Sequence, residues 1–278
     1  MKKVFFVSAL LAVLNACQTN VSPEDIKPFD YPVEVTFRAT ESFRSKTVLN
    51  HESILWESSD QIKVLWGENR FNIADAKPYN SGASAEFYTT VEEASAYYGV
   101  YPASAVSSLI NGVVSVSVPE VQSGVFADAN IAVAKADNEL NMSFRHLVSF
   151  LEFTIDRTGT LTFSAGSSNP VAGVVSVKGF DESGLPVYDT SGGVMSVTLD
   201  VKSSGTYYIA LLPNARLDKL SFRLYDGKSV FTAVSDKSFQ MSPGKLIGLG
   251  NITDRFVDGN SFGATVENMV IDEYMWEF

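Results

Sequence analysis

Residues 33–39 read Val-Glu-Val-Thr-Phe-Arg-Ala. Val33, Val35, Phe37 and Ala39 alternate with Glu34, Thr36 and Arg38. Side chains on a strand point to opposite faces in turn, so this period of two predicts a strand with one buried face. The same pattern recurs along the chain. Ile62, Val64 and Trp66 alternate, as do Val114, Val116 and Val118. Leu151, Phe153 and Ile155 repeat it, then Leu161, Phe163 and Ala165. Met195, Val197, Leu199 and Val201 follow, and then Leu220, Phe222 and Leu224. Turn dipeptides stand between these runs: Asn111-Gly112, Thr158-Gly159, Ser183-Gly184, Ser191-Gly192-Gly193, Ser204-Gly205 and Asp226-Gly227. Many short strands with regular turns predict β-sandwiches rather than a parallel α/β sheet. Helix signals are few, and Ser45–Leu55 and Tyr101–Leu109 are the stretches that fit a helical turn or two.

The chain has 278 residues, 45% of them hydrophobic and 19% charged. That is enough apolar material for a sizeable core and too little charge for a disordered chain. The net charge of −11 disfavours a polyphosphate partner, so nucleic acid is not expected. One cysteine and two histidines exclude an internal disulfide and argue against a Cys/His zinc site.

That single cysteine is informative by its place. Lys2 and Lys3 precede an apolar run, Val4–Leu14, broken only by Ser8. The run suits a signal peptide and is too short to span a bilayer. Leu14-Asn15-Ala16-Cys17 follows and resembles a bacterial lipobox, with Asn15 where a small or aliphatic residue is usual. The resemblance implies cleavage after residue 16, lipid on Cys17 and an outer-membrane, cell-surface location. Several acyl chains hold firmly where one does not, at ~0.8 kcal/mol per buried CH₂. Ordinary secretion with cleavage near Ala16 is the simpler alternative. Loss of residues 1–16 removes Lys2 and Lys3 and no acid, taking the net charge from −11 to −13. Residues 17–31, polar and carrying Pro23 and Pro28, read as a tether.

An ordered set of segments carries a family resemblance. These are Val35-Thr36-Phe37, Trp56–Val64, Ala85-Glu86-Phe87, Tyr97–Ala103, Ser143–Leu147, Tyr207–Pro213 and Gly244–Ile247. In this order the chain resembles the fimbrillin family, including its Mfa-like members. Ser59 stands where the family usually has glycine before Asp-x-Ile. The resemblance implies an all-β fold of two tandem transthyretin-like β-sandwich domains after a lipoprotein signal peptide. The expected division is 32–142 and 143–254, followed by a tail, 255–278. It also implies a fimbrial subunit, or an anchor or tip protein, that joins other subunits by strand exchange and supports adhesion to host or bacterial surface ligands.

Two parts are expected to serve assembly. Read as extended from Ala264, one face of the tail carries Val266, Val270, Tyr274, Trp276 and Phe278, interrupted by Asn268 and Asp272. This face fits a donor strand, or equally a last strand folded back onto its own sheet. In some family members an arginine-specific protease cuts after the first strand. Arg38 and Arg44 are the corresponding candidates, and two solvated arginines are the plainer reading.

Catalysis finds no constellation, so an enzyme is not expected. There is no Gly-x-Ser-x-Gly elbow and no His-Glu-x-x-His pair. Gly227-Lys228-Ser229 lacks the upstream glycine of a phosphate loop, where Phe222 stands. Phe256 spoils a calcium loop at Asp254–Gly259. His146 lies beside Phe144 and Leu147 and reads as structural. No cofactor or metal is expected. The alternative function is a surface glycan-binding lipoprotein, for which Trp56, Trp66, Tyr97, Tyr98 and Trp276 are the available rings; the strand pattern predicts that Trp56, Trp66 and Tyr98 are mostly core.

Overall fold

A computed structural model describes residues 32–39, 55–166 and 170–259, and the backbone of 272–274. The chain is all-β. The first strands are β1 (Val33–Ala39), β2 (Gln61–Trp66), β3 (Arg70–Tyr79), β4 (Ser84–Val91), β5 (Tyr97–Tyr101), β6 (Ser107–Ile110), β7 (Val113–Val118) and β8 (Val121–Gln122). A single-turn helix, α1 (Phe126–Ala129), separates them from β9 (Ala132–Lys135), β10 (Asn141–Met142) and β11 (Arg145–His146). One sheet takes the order β10-β1-β4-β3-β2-β5-β9-β11. β3 turns its corner: Arg70 to Asp75 pair with β2, and Ala76 to Tyr79 pair with β4. A bridge between Ala136 and Met142 brings the end of β9 back to β10, so the sheet curls until its ends meet.

The closing loop is built by Asp137. Its carboxylate accepts the Glu139 and Asn141 N–H groups, each at 2.8 Å, and the Asn141 amide at 3.1 Å. Partial burial pushes this carboxyl up, and the bonds from Asn141 and Glu139 outweigh it, leaving it below the usual range. Leu140 takes a left-handed conformation, φ 64°, and its carbonyl accepts the Arg38 N–H at 3.0 Å. An αL leucine is uncommon and persists where its surroundings hold it.

Inside the curl sits an aromatic hub. The Trp56 ring meets Phe87, Tyr101 and Phe144 edge-on, at 5.2, 5.4 and 5.5 Å. Gly99 is required beside it: a Cβ there would lie 2.7 Å from Phe144 and 2.8 Å from the Met142 sulfur. Tyr101 donates to buried Asp60 at 3.1 Å, and burial, with the Asp60 charge, pushes its phenol far up.

The remaining strands are β12 (Ser149–Ile155), β13 (Gly159–Ser164), β14 (Ala172–Phe180), β15 (Pro186–Val194), β16 (Ser196–Val201), β17 (Gly205–Leu211), β18 (Arg216–Leu217), β19 (Leu220–Tyr225), β20 (Val230–Ser235), β21 (Phe239–Gln240), β22 (Leu246–Asn251), β23 (Val257–Asp258) and β24 (Asp272–Tyr274). Sheets β17-β12-β22-β24 and β23-β20-β19-β13-β16-β8 pack a second core between them, where Phe222 lies 5.3 Å from Phe153 and 5.1 Å from Phe163. A third sheet, β15-β14-β7-β6, crosses residue 142: Val114 to Val118 pair with Val177 to Gly173.

Most of the alternating runs lie where the sequence places them. Asn111 and Gly112, φ 51° and 75°, make the tight β6–β7 turn that a right-twisted hairpin favours. Three expectations differ. Tyr101–Leu109 holds strand and turn, not helix, while Ser45–Leu55, but for Leu55, lies outside the described residues. Met195 is exposed between two strands. Ser191-Gly192-Gly193 lies inside β15, where the pairing register shifts, so it marks a bulge rather than a turn.

Two predictions follow from this core. Trp56→Ala should lower the free energy of unfolding by about 3–5 kcal/mol, whereas Phe71→Ala, at a half-exposed ring, should change it by about 0.5 kcal/mol or less. Urea melts of the two variants check this, and equal effects would contradict the hub. The second concerns acid. Asp137 has a depressed folded pKa, so its contribution is present above the unfolded value of about 3.9 and is lost as pH falls through the folded one. Asp137→Ala should therefore be less stable than the parent near neutrality, and the difference should shrink towards the acid end of that window.

Candidate assembly site

β1 is not an edge strand. It runs antiparallel to β4 over its whole length, from Val33↔Val91 to Ala39↔Ala85. On its other side it pairs in parallel with β10, Arg38↔Asn141 and Ala39↔Met142. Phe37 and Ala39 are fully buried, and the Phe37 ring meets Tyr97 edge-on at 5.6 Å. The sequence explains this locally, since alternate apolar residues give one face a place in the core. Taken away, β1 would leave β4 and β10 with unpaired backbone groups, a deep position at Phe37 and a shallow one at Ala39.

The opposite face of β1 is polar. Arg38 is exposed and bonds Glu86 at 3.3 Å. Tyr88 donates to the other Glu86 oxygen, and the Lys77 ammonium sits 4.0 Å from the Tyr88 ring centre. The Tyr88 hydroxyl, with Arg38, holds the Glu86 carboxyl below its usual range. Such an exposed pair contributes little to stability, and it ties β1 to β4 chiefly in register.

At the far end of the chain the backbone of β24 pairs antiparallel with β22, Tyr274 opposite Leu246 and Asp272 opposite Gly248. This stretch of the tail therefore lies on a sheet of its own chain. Cys17, Arg44, Val266, Val270, Trp276 and Phe278 lie outside the described residues, as do the signal peptide and tether. Of the candidate residues, the structure places Arg38 within the β1 ladder and the Tyr274 backbone at the β22 edge. It does not bring these two together in one sheet. The sequence reading missed β10, the second neighbour of β1. A two-residue strand held by a left-handed leucine has no periodic signal to find.

Trp56 and Trp66 are buried, 5% and 6% exposed, so they offer no surface platform to a glycan. Tyr97 and Tyr98 are half-buried. His146 is buried, its ring edge-on to Phe150 at 5.8 Å. Among the described residues no group of three or more His, Cys, Asp or Glu is placed to hold a metal.

Several solved structures are similar to this chain. One is a proposed cell adhesion protein from Bacteroides ovatus, 15% identical, covering 89% of this chain and 99% of that one, with a TM-score of 0.47. Another is a proposed cell adhesion protein from Bacteroides uniformis, 16% identical, covering 81% and 96%, TM-score 0.49. A fimbrial assembly protein from Parabacteroides distasonis is 8% identical over 88% and 100%, TM-score 0.35. No curated protein matches the chain. The family model described as fimbrillin-like matches residues 38–268, most of the chain, and the protein belongs to the fimbrillin-like family.

Proposed function

We propose that this protein is a lipid-anchored surface subunit, or an accessory anchor or tip protein, of a fimbrium. It joins other fimbrial subunits by strand exchange and supports adhesion, a structural rather than catalytic role. Lipid on Cys17 holds it to the outer membrane, and residues 17–31 lift the folded part clear. The observation that carries the reading is the position of β1 between β4 and β10, with Phe37 and Ala39 filling core positions. A strand so placed is replaceable by another with apolar residues at alternate positions, because backbone pairing supplies the attraction and side-chain sites supply the fit. Burial of Phe37 alone contributes roughly 1.5–3 kcal/mol, so β1 leaves only when something takes its place.

Arg38 does not suit the releasing cut, which leaves Arg44 as the candidate. A protease takes its substrate extended and unpaired, and the Arg38 N–H is bonded to Leu140 within the ladder. A cut after Arg44 leaves β1 held by pairing alone. The tail, with Val266, Val270, Tyr274, Trp276 and Phe278 on one face, is the proposed donor. Its pairing with β22 is then the arrangement before exchange.

Treatment of the full chain with an arginine-specific protease should yield a new N-terminus at Ser45 and a ladder of oligomers. Arg44→Lys should stay uncut and unassembled. Deleting residues 264–278 should leave a folded monomer that is cut and does not assemble. Undiminished assembly of the deletion would dismiss the tail as donor, and surface-shed protein beginning at Cys17 would dismiss the cut.

A further inference from the structure

β17 runs antiparallel to β12 and is the last strand on its side of the sheet β17-β12-β22-β24. Tyr208 and Ala210 turn their backbone groups away from β12. An edge of this kind is a template for pairing with another chain unless it is covered. Over Tyr208 and Ala210 the cover is a short segment that follows β7, residues 119–125, and just past the strand the Val171 carbonyl takes the Leu212 N–H at 2.8 Å.

This segment serves two sheets at once. Its backbone follows β16: Val121 lies opposite Thr198 and Gln122 opposite Leu199, and the Thr198 N–H donates to the Glu120 carbonyl at 2.8 Å. Its Gln122 side chain turns to β17. The Gln122 Oε1 accepts the Ala210 N–H at 2.8 Å, and Nε2 donates to the Ala210 carbonyl at 2.8 Å. The second Nε2 hydrogen goes to Pro119 O at 2.9 Å. One side-chain amide thus stands in for the peptide group of a neighbouring strand. Two residues on, the Gly124 carbonyl accepts the Tyr208 N–H at 2.9 Å. Gly124 has φ +78°, and a Cβ there would lie 2.5 Å from the Tyr207 ring, so glycine is required for this approach.

The cover is satisfied in hydrogen bonds and lightly packed. Val121 and Val125 are 72% and 54% exposed. A cavity of about 290 Å³ lies beside it, lined by Val106, Ser117, Val121, Gln122 and Ala210 among others. Exposed side chains and incomplete packing are the marks of a segment that opens before the rest of the fold does.

We propose that residues 120–124 are a latch over a second strand-pairing edge, and that β17, when uncovered, pairs with β17 of a second copy. A strand set antiparallel to itself about a twofold axis offers each copy the same donors and acceptors, so the contact is self-complementary. It would join two four-stranded sheets into one. This edge is separate from the β1 groove, and the proposal stands or falls without strand exchange at β1.

Gln122→Ala removes all three amide bonds. The full-length variant should exchange its Ala210 and Tyr208 amide protons about tenfold faster or more, and should form dimers at concentrations where the parent is monomeric. Adding Ala210→Pro removes the outward N–H without touching a bond to β12, and should restore the monomer. A variant that stays monomeric with unchanged exchange overturns the proposal, as does association that survives Ala210→Pro. The unaltered chain supplies a check that needs no variant to fold. Its Tyr208 and Ala210 amides should exchange faster than those of Ile209 and Leu211, which face β12. Equal rates would mean that the latch opens only with the whole fold, and the idea fails.

Discussion

Leu65 in β2, Val100 in β5 and Val133 in β9 belong to the larger hydrophobic core, while Ile62, Val64, Ala132 and Ala134 of the same strands fill the smaller one. The wall β2-β5-β9 therefore gives buried residues to both cores, with Gln61 and Lys135 exposed at its ends, and the rest of the structure is arranged around it. Each core gains a side it does not have to build. The usual guard on register survives in β2, where a one-residue slip would turn Gln61 and Lys63 into the smaller core, and is weaker in β9, where Ala132, Val133 and Ala134 are all buried. Size adds a second guard. Gly99 in β5 leaves room for Phe144 and Met142 that any other residue would fill, so the neighbouring strand has one comfortable setting.

The same wall explains where the sequence was readable. Strands with one wet face, such as Val113–Val118 and Leu220–Tyr225, show their period plainly. In Val64-Leu65-Trp66 the alternation was read as Ile62, Val64 and Trp66, and Leu65 looked like the outward residue. It is buried in the other core. A pattern for one face cannot reveal a second partner contributed by residues far along the chain. The β3 corner was hidden for a related reason: its ten residues serve β2 first and β4 afterwards, and neither partner marks the change locally. Gly192 and Gly193 are good turn residues, and only the pairing of β14 with β15 shows them as a bulge.

The candidate assembly parts were partly legible. Val33–Ala39 announced a strand, and of the tail only the backbone of β24 is described. That β1 would be internal rather than at an edge depended on Asn141 and Met142, two residues placed by the Asp137 turn and the left-handed Leu140. Gln122 gave no signal at all, because a glutamine in a polar stretch reads as solvent-facing.

Edges decide what a β protein can join, and the described sheets differ in how they close theirs. The first curls until its ends meet, and the two sheets of the second core end in strands of two or three residues or in the Gln122 amide. Within the first sheet, an opening at β1 would be asymmetric. β4 would offer seven paired positions and β10 only two, so an incoming strand reads mostly β4 and runs antiparallel to it. The positions it meets are ordered by size, with a deep one at Phe37 followed by a shallow one at Ala39. An aromatic ring does not fit the place of a buried alanine without forcing its neighbours apart, which costs about 1–3 kcal/mol or more. A donor that carries aromatic residues at alternate positions would have to place them in the stretch of groove from Val33 to Phe37. The order of large and small side chains on one strand, rather than its apolarity alone, is what would let this groove tell one donor from another.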